Sequence, residues 1–249
     1  MYKKLYFFYS NTFLKGIILP FYFRFIRTFF KMFGIFAKTS LSQFSEDIII
    51  DIILKNAKKT KGFFVDVGCN HPIEYNNTYL LYLRGWRGIN IDGNGKLISL
   101  YHKFRNEDIN VNSLISNVEV DATFHISTND KLSTINYNEV LHNPSKFLAE
   151  DSVMMHTQTL NTILQQHLPK NAAIDLLCID VEGHDFEVIN SIDLDTYKPY
   201  LLVIEIHDFN INNHAEHRLF KHLSDHNYQL TDFVFSTGYF VRKNEMAIN

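Results

Sequence analysis

Phe63-Phe64-Val65-Asp66-Val67-Gly68-Cys69-Asn70 is the stretch from which the fold of this chain is read. An apolar, partly β-branched run of this length suits a strand covered on both faces, and it ends abruptly in an acid, a glycine and an amide. Gly68 lets the backbone turn tightly with no Cβ between it and a ligand. Asp66 stands where the strand leaves the sheet, and in open α/β sheets ligands bind outside those carboxyl ends. An Asp-x-Gly after a strand also fits an ordinary strand-to-helix turn, so the surrounding sequence has to carry the reading.

Upstream, Ser42-Gln43-Phe44-Ser45-Glu46-Asp47 precedes the apolar run 48–54 and predicts a capped helix. Downstream, residues 75–84 predict a helix, Gly88-Ile89-Asn90-Ile91-Asp92 a second strand ending in an acid, 97–104 a helix and 109–115 a third strand. A hairpin strand is expected at 122–127. Residues 128–155 are polar and read as irregular, with Pro144 inside; a loop this long in a compact domain is usually functional or mobile, which makes it the expected substrate lid. Residues 160–168 predict a helix, 174–180 a buried strand ending in Asp180, 187–192 a helix and 200–205 a strand ending in Glu205. A helix at 214–223 and a hairpin formed by 228–235 and 239–241 around Gly238 complete the chain. Alternating strands and helices imply a mostly parallel sheet with helices on both faces and a C-terminal antiparallel hairpin. One domain over 41–249 therefore follows a separate N-terminal segment, 1–40.

That segment differs in kind from the rest. The 249-residue chain is 46% hydrophobic and 20% charged, with a formal charge of -3, yet residues 1–38 hold seven Lys/Arg and no acid, leaving 17 basic against 27 acidic residues. The first 40 residues also carry 14 of the 36 aromatics. A membrane-spanning helix wants about 20 predominantly apolar residues, and Lys15, Asn11 and Pro20 interrupt the apolar run here. After Pro20 the cations Arg24, Arg27, Lys31 and Lys38 fall in one narrow helical arc opposite phenylalanines, the pattern of an interfacial helix on anionic headgroups. Peripheral membrane contact through residues 16–38 is the expectation, with packing on the domain or on a second subunit of a homo-oligomer as the alternative. Cys69 and Cys178 lie in strand-like contexts and form no metal or redox motif, which suits reduced thiols in the cytoplasm. The net acidic main part has no basic track for phosphates, which argues against nucleic acid.

Four predicted strands end in polar groups on one sheet edge: Asp66 with Asn70, Asp92, Asp180 with Glu182, and Glu205 with His207. Asp92 follows Asp66 by 26 residues, where an acid meets ribose hydroxyls in dinucleotide-type folds. The turn lacks Gly-x-Gly-x-x-Gly and no P-loop lysine follows, so no phosphate is provided for. An adenosine ligand without phosphates, above all S-adenosylmethionine, fits best. Asn112 and Ser116 lie where an adenine pocket would form.

With these motifs in order, the sequence resembles the FkbM-type S-adenosylmethionine-dependent methyltransferases over about residues 41–208. The resemblance rests on Ser42-Gln-Phe-Ser-Glu-Asp47, Gly62-Phe-Phe-Val-Asp-Val-Gly-Cys-Asn-His-Pro72, Asn77-Thr-Tyr-Leu80 and Gly85-Trp-Arg-Gly-Ile-Asn-Ile-Asp92. It continues in Thr159-Leu-Asn-Thr-Ile-Leu164, Asp180-Val-Glu-Gly183 and Val203-Ile-Glu205. Where that family commonly has Glu-Pro after its second strand, this chain has Asp92-Gly93. The resemblance implies a Rossmann-like, seven-stranded class I methyltransferase sheet and methyl transfer, most often to a hydroxyl of a sugar, glycan or related metabolite. N- or carboxyl-methylation of a lipid or peptide, and a degenerate fold serving as a binding module, are the alternatives. The expected donor contacts are Asp66, Gly68, Cys69, Asn70, Asp92, Ser116 and Asp180.

A sugar hydroxyl is a poor nucleophile, so a base or a metal should help it. Asp180, Glu182 and His184 are the candidate bases, and an imidazole pKa of about 6.5 suits the task. Asp180, Glu205 and Asp208 are candidate ligands for Mg²⁺, since oxygens from adjacent strand ends suit a hard cation. His71 either orients the donor or acceptor or forms a rigid turn with Pro72; His214-x-x-His217 reads as surface, and Trp86 and Phe104 as core.

Overall fold

The computed structural model describes residues 29, 40–127, 133–135, 147–207, 209–210, 212–213 and 216–243. Residues 16–38 thus lie outside the described residues except Phe29, and no helix among the described residues is long and apolar enough to cross a membrane.

The first helix, α1 (Glu46–Asn56), leads into β1 (Phe63–Val67), and α2 (Tyr79–Leu83), β2 (Arg87–Asp92), α3 (Gly95–Phe104) and β3 (Ile109–Asn112) follow. The chain then forms β4 (Leu114–Ile115), β5 (Asp121–Ser127) and β6 (Phe147–Gln158), and returns through α4 (Leu160–His167) to β7 (Leu176–Ile179). Two short helices, α5 (Asp185–Ile189) and α6 (Leu194–Tyr197), precede β8 (Leu201–Glu205), and α7 (Arg218–Asp225), β9 (Tyr228–Val234) and β10 (Thr237–Arg242) end the fold.

Seven strands form one sheet in the order β3-β2-β1-β7-β8-β10-β9. β1 pairs in parallel with β2 on one side and β7 on the other, Val67 lying level with Ile91 and with Ile179. The carboxyl ends of these three strands therefore meet where the strand order reverses, the crevice in which open α/β sheets bind ligands. β10 runs antiparallel to both β8 and β9, as the expected terminal hairpin requires. One face of the sheet buries Val65, Ile89, Leu177 and Leu202 with Leu160, Ile163, Val188, Leu219 and Leu223 of α4, α5 and α7. The other buries Phe64, Cys178 and Val203 with Ile50 and Leu54 of α1 and with Trp86. Both cysteines are free and buried.

Several local expectations are corrected. The strand expected at 109–115 breaks at Ser113, because its second half joins a separate three-stranded sheet, β4-β6-β5. The segment expected to be irregular to residue 155 is strand from Phe147, paired antiparallel with β5 so that Phe124 faces Val153. Its exposed outer positions, Val153 and Met154 among them, break the polar-apolar alternation that reveals a strand. The helix expected at 75–84 starts only at Tyr79, since Tyr75 adopts a left-handed conformation (φ 51) and Asn76 and Thr78 turn inward. His217 caps α7, its Nδ1 accepting from the Leu219 N–H, and His214 lies outside the described residues. Gly238 sits within β10; the hairpin turns at Phe235 and Ser236.

The start of α1 also differs from a simple side-chain cap. Ser45 makes no capping bond; instead Asp47 accepts from the Ser40 hydroxyl (2.6 Å), the Leu41 N–H (2.8 Å) and the Ser42 hydroxyl (2.9 Å). Glu46 accepts from the Phe44 N–H at 2.8 Å. Two acids of the first turn, favourably placed at the positive end of the helix dipole, thus fold the Gln43-Phe44 loop over the sheet edge.

The turn after β1 is held from beneath by a buried polar network centred on Arg105, which has no solvent exposure. Arg105 donates from Nε to Asp108 (2.9 Å) and from Nη1 to Asn76 Oδ1 (3.1 Å) and Thr78 Oγ1 (3.0 Å). Thr78 in turn donates to Asp66 at 2.7 Å. The Cys69 carbonyl accepts from the Tyr101 hydroxyl (2.6 Å) and from Asn76 Nδ2 (3.1 Å). Burial raises the pKa of Asp66 to about 6, although the Thr78 hydrogen bond and the Arg105 charge oppose the rise.

Two outcomes follow for stability. A Cβ on Gly68 (φ +76) would overlap the Asp180 carbonyl oxygen, so Gly68→Ala is expected to lower the unfolding free energy by roughly 3 kcal/mol or more in urea melts. Because the folded pKa of Asp66 lies above its unfolded value, the native state binds the extra proton, and its stability falls as pH rises from about 4 to about 6. Asp66→Asn should remove that contribution and gain on the parent by about 2 to 3 kcal/mol across the same window; equal pH slopes for both proteins would exclude this account.

Candidate active site

A cavity opens at the crevice between β1, β2 and β7. Gly68 and Cys69 both donate their N–H groups to the Ile91 carbonyl, at 2.9 and 3.1 Å, which seats the turn after β1 on the end of β2. Asn70 (φ 51) donates its N–H to Asp92 Oδ2 at 2.9 Å, and Asn94 donates to Asp92 Oδ1 at 2.7 Å. The Asp92 carboxylate is thereby fixed in the cavity wall. The Asn112 amide donates to the carbonyls of Asp92 (2.8 Å) and Gly93 (2.9 Å), closing the end of β2.

Beyond Asp92 the wall becomes apolar: Ile91, Leu114, Ile115 and Phe124 line a slot suited to a flat heteroaromatic ring. A Cβ at residue 93 would run into the Leu114 and Phe124 side chains, which gives the Asp92-Gly93 sequence a steric reason.

Of the expected donor contacts, Gly68, Asn70, Asp92 and Asp180 line the cavity. Asp66 does not; its carboxylate points into the Arg105 network, so it positions the turn rather than touching a ligand there. Cys69 contributes only backbone, its thiol packing against Ile98 and Tyr101, where burial raises its pKa. Ser116 is buried and lies 3.0 Å, Oγ to Nε2, from His184, which itself lines the cavity. His184 therefore stands beside Ser116, away from Asp180 and Glu205, and burial lowers its pKa below the usual imidazole value. His71 serves its turn, its Nδ1 accepting from the N–H groups of Ile73 (3.3 Å) and Glu74 (3.0 Å).

A second, larger cavity adjoins the first. Its floor carries Asp180, Glu182, Glu205 and His207, and its rim Gln43, Phe44, Tyr75 and Asn77. Phe44 stacks on Phe235 with ring centroids 4.4 Å apart, and Tyr75 is half-exposed at 51%. The folded-back loop before α1 thus supplies a wall, a role that a helix-capping reading of Ser42 to Asp47 does not contain.

Asp180 and Glu182 line both cavities. They sit on a sharp turn, with Glu182 (φ 52) and Gly183 (φ 86) in left-handed conformations. The turn is held by Asp185, whose carboxylate accepts from the N–H groups of Val181 (3.0 Å) and Gly183 (3.1 Å) and whose pKa burial raises to about 7. Thr134 adds a hydrogen bond to the Glu182 carbonyl at 3.0 Å, tying the segment after β5 to the same turn. Asp185 is a site residue that sequence reasoning missed, its only signal being an acid at the start of a short helix.

Enclosure and the charges of Glu205, Glu182 and Asp185 push the Asp180 pKa well above the carboxylate range. Its surface opens to water through the cavity, so crowding among acids counts for more here than exclusion of solvent. His207 lies 3.1 Å, Nε2 to Oε2, from Glu205, and that contact raises the imidazole pKa to about 9. Of the ligands expected for Mg²⁺, Asp208 lies outside the described residues. The structure gathers Glu182, Glu205 and His207 instead, with one donor atom of each within 4.8 Å of the others.

A partly apolar slot that opens through two shared acids onto a larger polar cavity is an arrangement suited to passing a small group from one ligand to another. No curated protein matches the chain. The FkbM methyltransferase domain family matches residues 66–230, about two thirds of the chain, a span that runs from the end of β1 into β9. The chain belongs to the FkbM methyltransferase domain family, and its activity is methyl transfer.

Proposed function

We propose that the methyl donor is S-adenosylmethionine, bound in the smaller cavity, and that the acceptor is a hydroxyl of a sugar or glycan bound in the larger one. The observation that carries this reading is that Asp180 and Glu182 belong to both walls, so a methyl group leaving one cavity enters the other beside two acids. In the donor cavity Asp92 accepts from the ribose hydroxyls, the slot of Leu114, Ile115 and Phe124 takes the adenine, and the turn at Gly68 to Asn70 faces the methionine end. The acids near the junction favour the sulfonium over an uncharged competitor.

The transfer is an in-line displacement: the acceptor oxygen attacks the methyl carbon, the carbon-sulfur bond breaks, and the neutral thioether leaves. Most of the rate comes from holding the reactants in line. Asp180 is placed to take the hydroxyl proton, and its raised pKa makes it a stronger base than an ordinary carboxylate once deprotonated. The acceptor rim supports a sugar: Phe44 and Tyr75 offer flat apolar faces to ring carbons, while Gln43 and Asn77 offer amides to hydroxyls.

Calorimetric titration with S-adenosylmethionine tests the first half of the proposal, and methyl transfer from labelled donor to a panel of glycan acceptors tests the second. Asp92→Ala is expected to weaken donor binding at least tenfold. Asp180→Asn is expected to leave donor affinity within a few-fold while lowering turnover a hundredfold or more. In the parent, turnover should rise with pH along a limb displaced above the ordinary carboxylate range, since the base acts only when deprotonated. Label appearing on amines or carboxylates instead of hydroxyls would select the N- or carboxyl-methylating alternative, and donor binding without any transfer the non-catalytic one.

A further inference from the structure

The floor of the larger cavity brings together three groups, of which the methyl-transfer reading uses only Glu182, and that only as an acid at the junction. Glu182 comes from the left-handed turn after β7, Glu205 from the end of β8 and His207 from two residues further on. Carboxylate oxygens of the two glutamates and a ring nitrogen of the histidine lie within 4.8 Å of one another. Two ligands on opposite sides of a divalent cation, each at about 2.1 to 2.4 Å, stand about 4.2 to 4.8 Å apart. An ion therefore fits among these three atoms without displacement of the strands that carry them.

Glu205 supplies an independent observation. Its Oε1 accepts from the Ser236 hydroxyl at 3.2 Å, which sets the plane of the carboxylate. Its Oε2 is buried and accepts no well-directed hydrogen bond, although His207 Nε2 lies only 3.1 Å away. A divalent cation here would take the place of the proton that Glu205 holds on His207, because an imidazole ligates only in its neutral form. No lysine or arginine lines this cavity among the described residues, so no fixed side-chain cation of that kind takes the place.

The donor set also chooses among cations. Ca²⁺ and Mg²⁺ prefer shells made entirely of oxygen, whereas an imidazole beside two carboxylates suits first-row transition ions. We propose that Glu182, Glu205 and His207 form a binding site for a divalent transition-metal ion of the Mn²⁺ class on the floor of the acceptor cavity. The ion's use, holding an acceptor oxygen beside Asp180, rests on the methyl-transfer reading; its binding does not.

The full-length protein, with neither donor nor acceptor present, is to be titrated with MnCl₂ by calorimetry and by loss of the free Mn²⁺ signal in electron paramagnetic resonance. A single site is expected, with Mg²⁺ competing weakly. His207→Ala and Glu205→Gln should each weaken Mn²⁺ binding at least tenfold. The His207 side chain is 47% exposed, so its removal leaves the fold intact, and circular dichroism and S-adenosylhomocysteine binding on the same samples verify this. Parental Mn²⁺ affinity in both variants, or no uptake by folded parent at millimolar Mn²⁺, overturns the site. Loss of S-adenosylhomocysteine binding in the parent, with Mn²⁺ uptake intact, would instead overturn the donor assignment and leave the metal site standing.

Discussion

A guanidinium with no solvent exposure has to find its partners inside the protein, and the donor side of this molecule is organised around the partners that Arg105 requires. Asp108 accepts from its Nε and Asn76 and Thr78 from its Nη1, and the rings of Phe64, Tyr82 and Tyr101 surround it at 5.1 Å from each centroid. Through Thr78 the network reaches Asp66, and through Asn76 it reaches the Cys69 carbonyl. The turn after β1 can then take its left-handed conformation at Gly68 and Asn70 at the edge of the cavity. Strain in that turn is sustained because the surrounding hydrogen bonds over-determine it.

The acceptor side obeys the opposite electrostatic logic. Where Asp66 and Asp108 are matched by a buried cation, Asp180, Glu182 and Glu205 crowd together with His207 beside Glu205. Such crowding raises the proton affinity of Asp180, which is useful to a base, and gathers charge inviting to a metal ion. Asp185 keeps the acids in place by bonding the backbone of their own turn rather than by neutralising them. The two cavities thus share a wall that is rigid in its backbone and loaded in its charge.

The fold was largely legible before any coordinates, since each strand of the parallel half is a short apolar run ending in an acid or amide, and parallel strands need crossovers of a kind that leaves a helical period between them. Strand order follows from handedness and economy of connection. What escaped notice has physical causes. β6 lies in a small sheet with exposed positions, so it lacks the alternation that betrays a strand. Asp66, Cys69 and His184 were grouped by type and position along the chain, but side-chain direction separates them: one turns into the Arg105 network, one packs in the core, one pairs with Ser116. The loop at Gln43 and Phe44 belongs to the acceptor wall only because Asp47 folds it back.

By itself the sequence determined the layering of the sheet, the edge on which the functional groups gather, the absence of a phosphate-binding turn and the family to which the chain belongs, because these depend on local pattern and on the order of elements. Only the tertiary structure decided which acids see a ligand and which serve the scaffold, that Asp180 and Glu182 stand between two cavities, and that His207 meets Glu182 and Glu205 at one point. Those facts depend on the register of β1 with β7, on the turn that Asp185 holds, and on the distance between neighbouring strand ends. No spacing along the chain encodes such distances, because they are set by how separate elements pack.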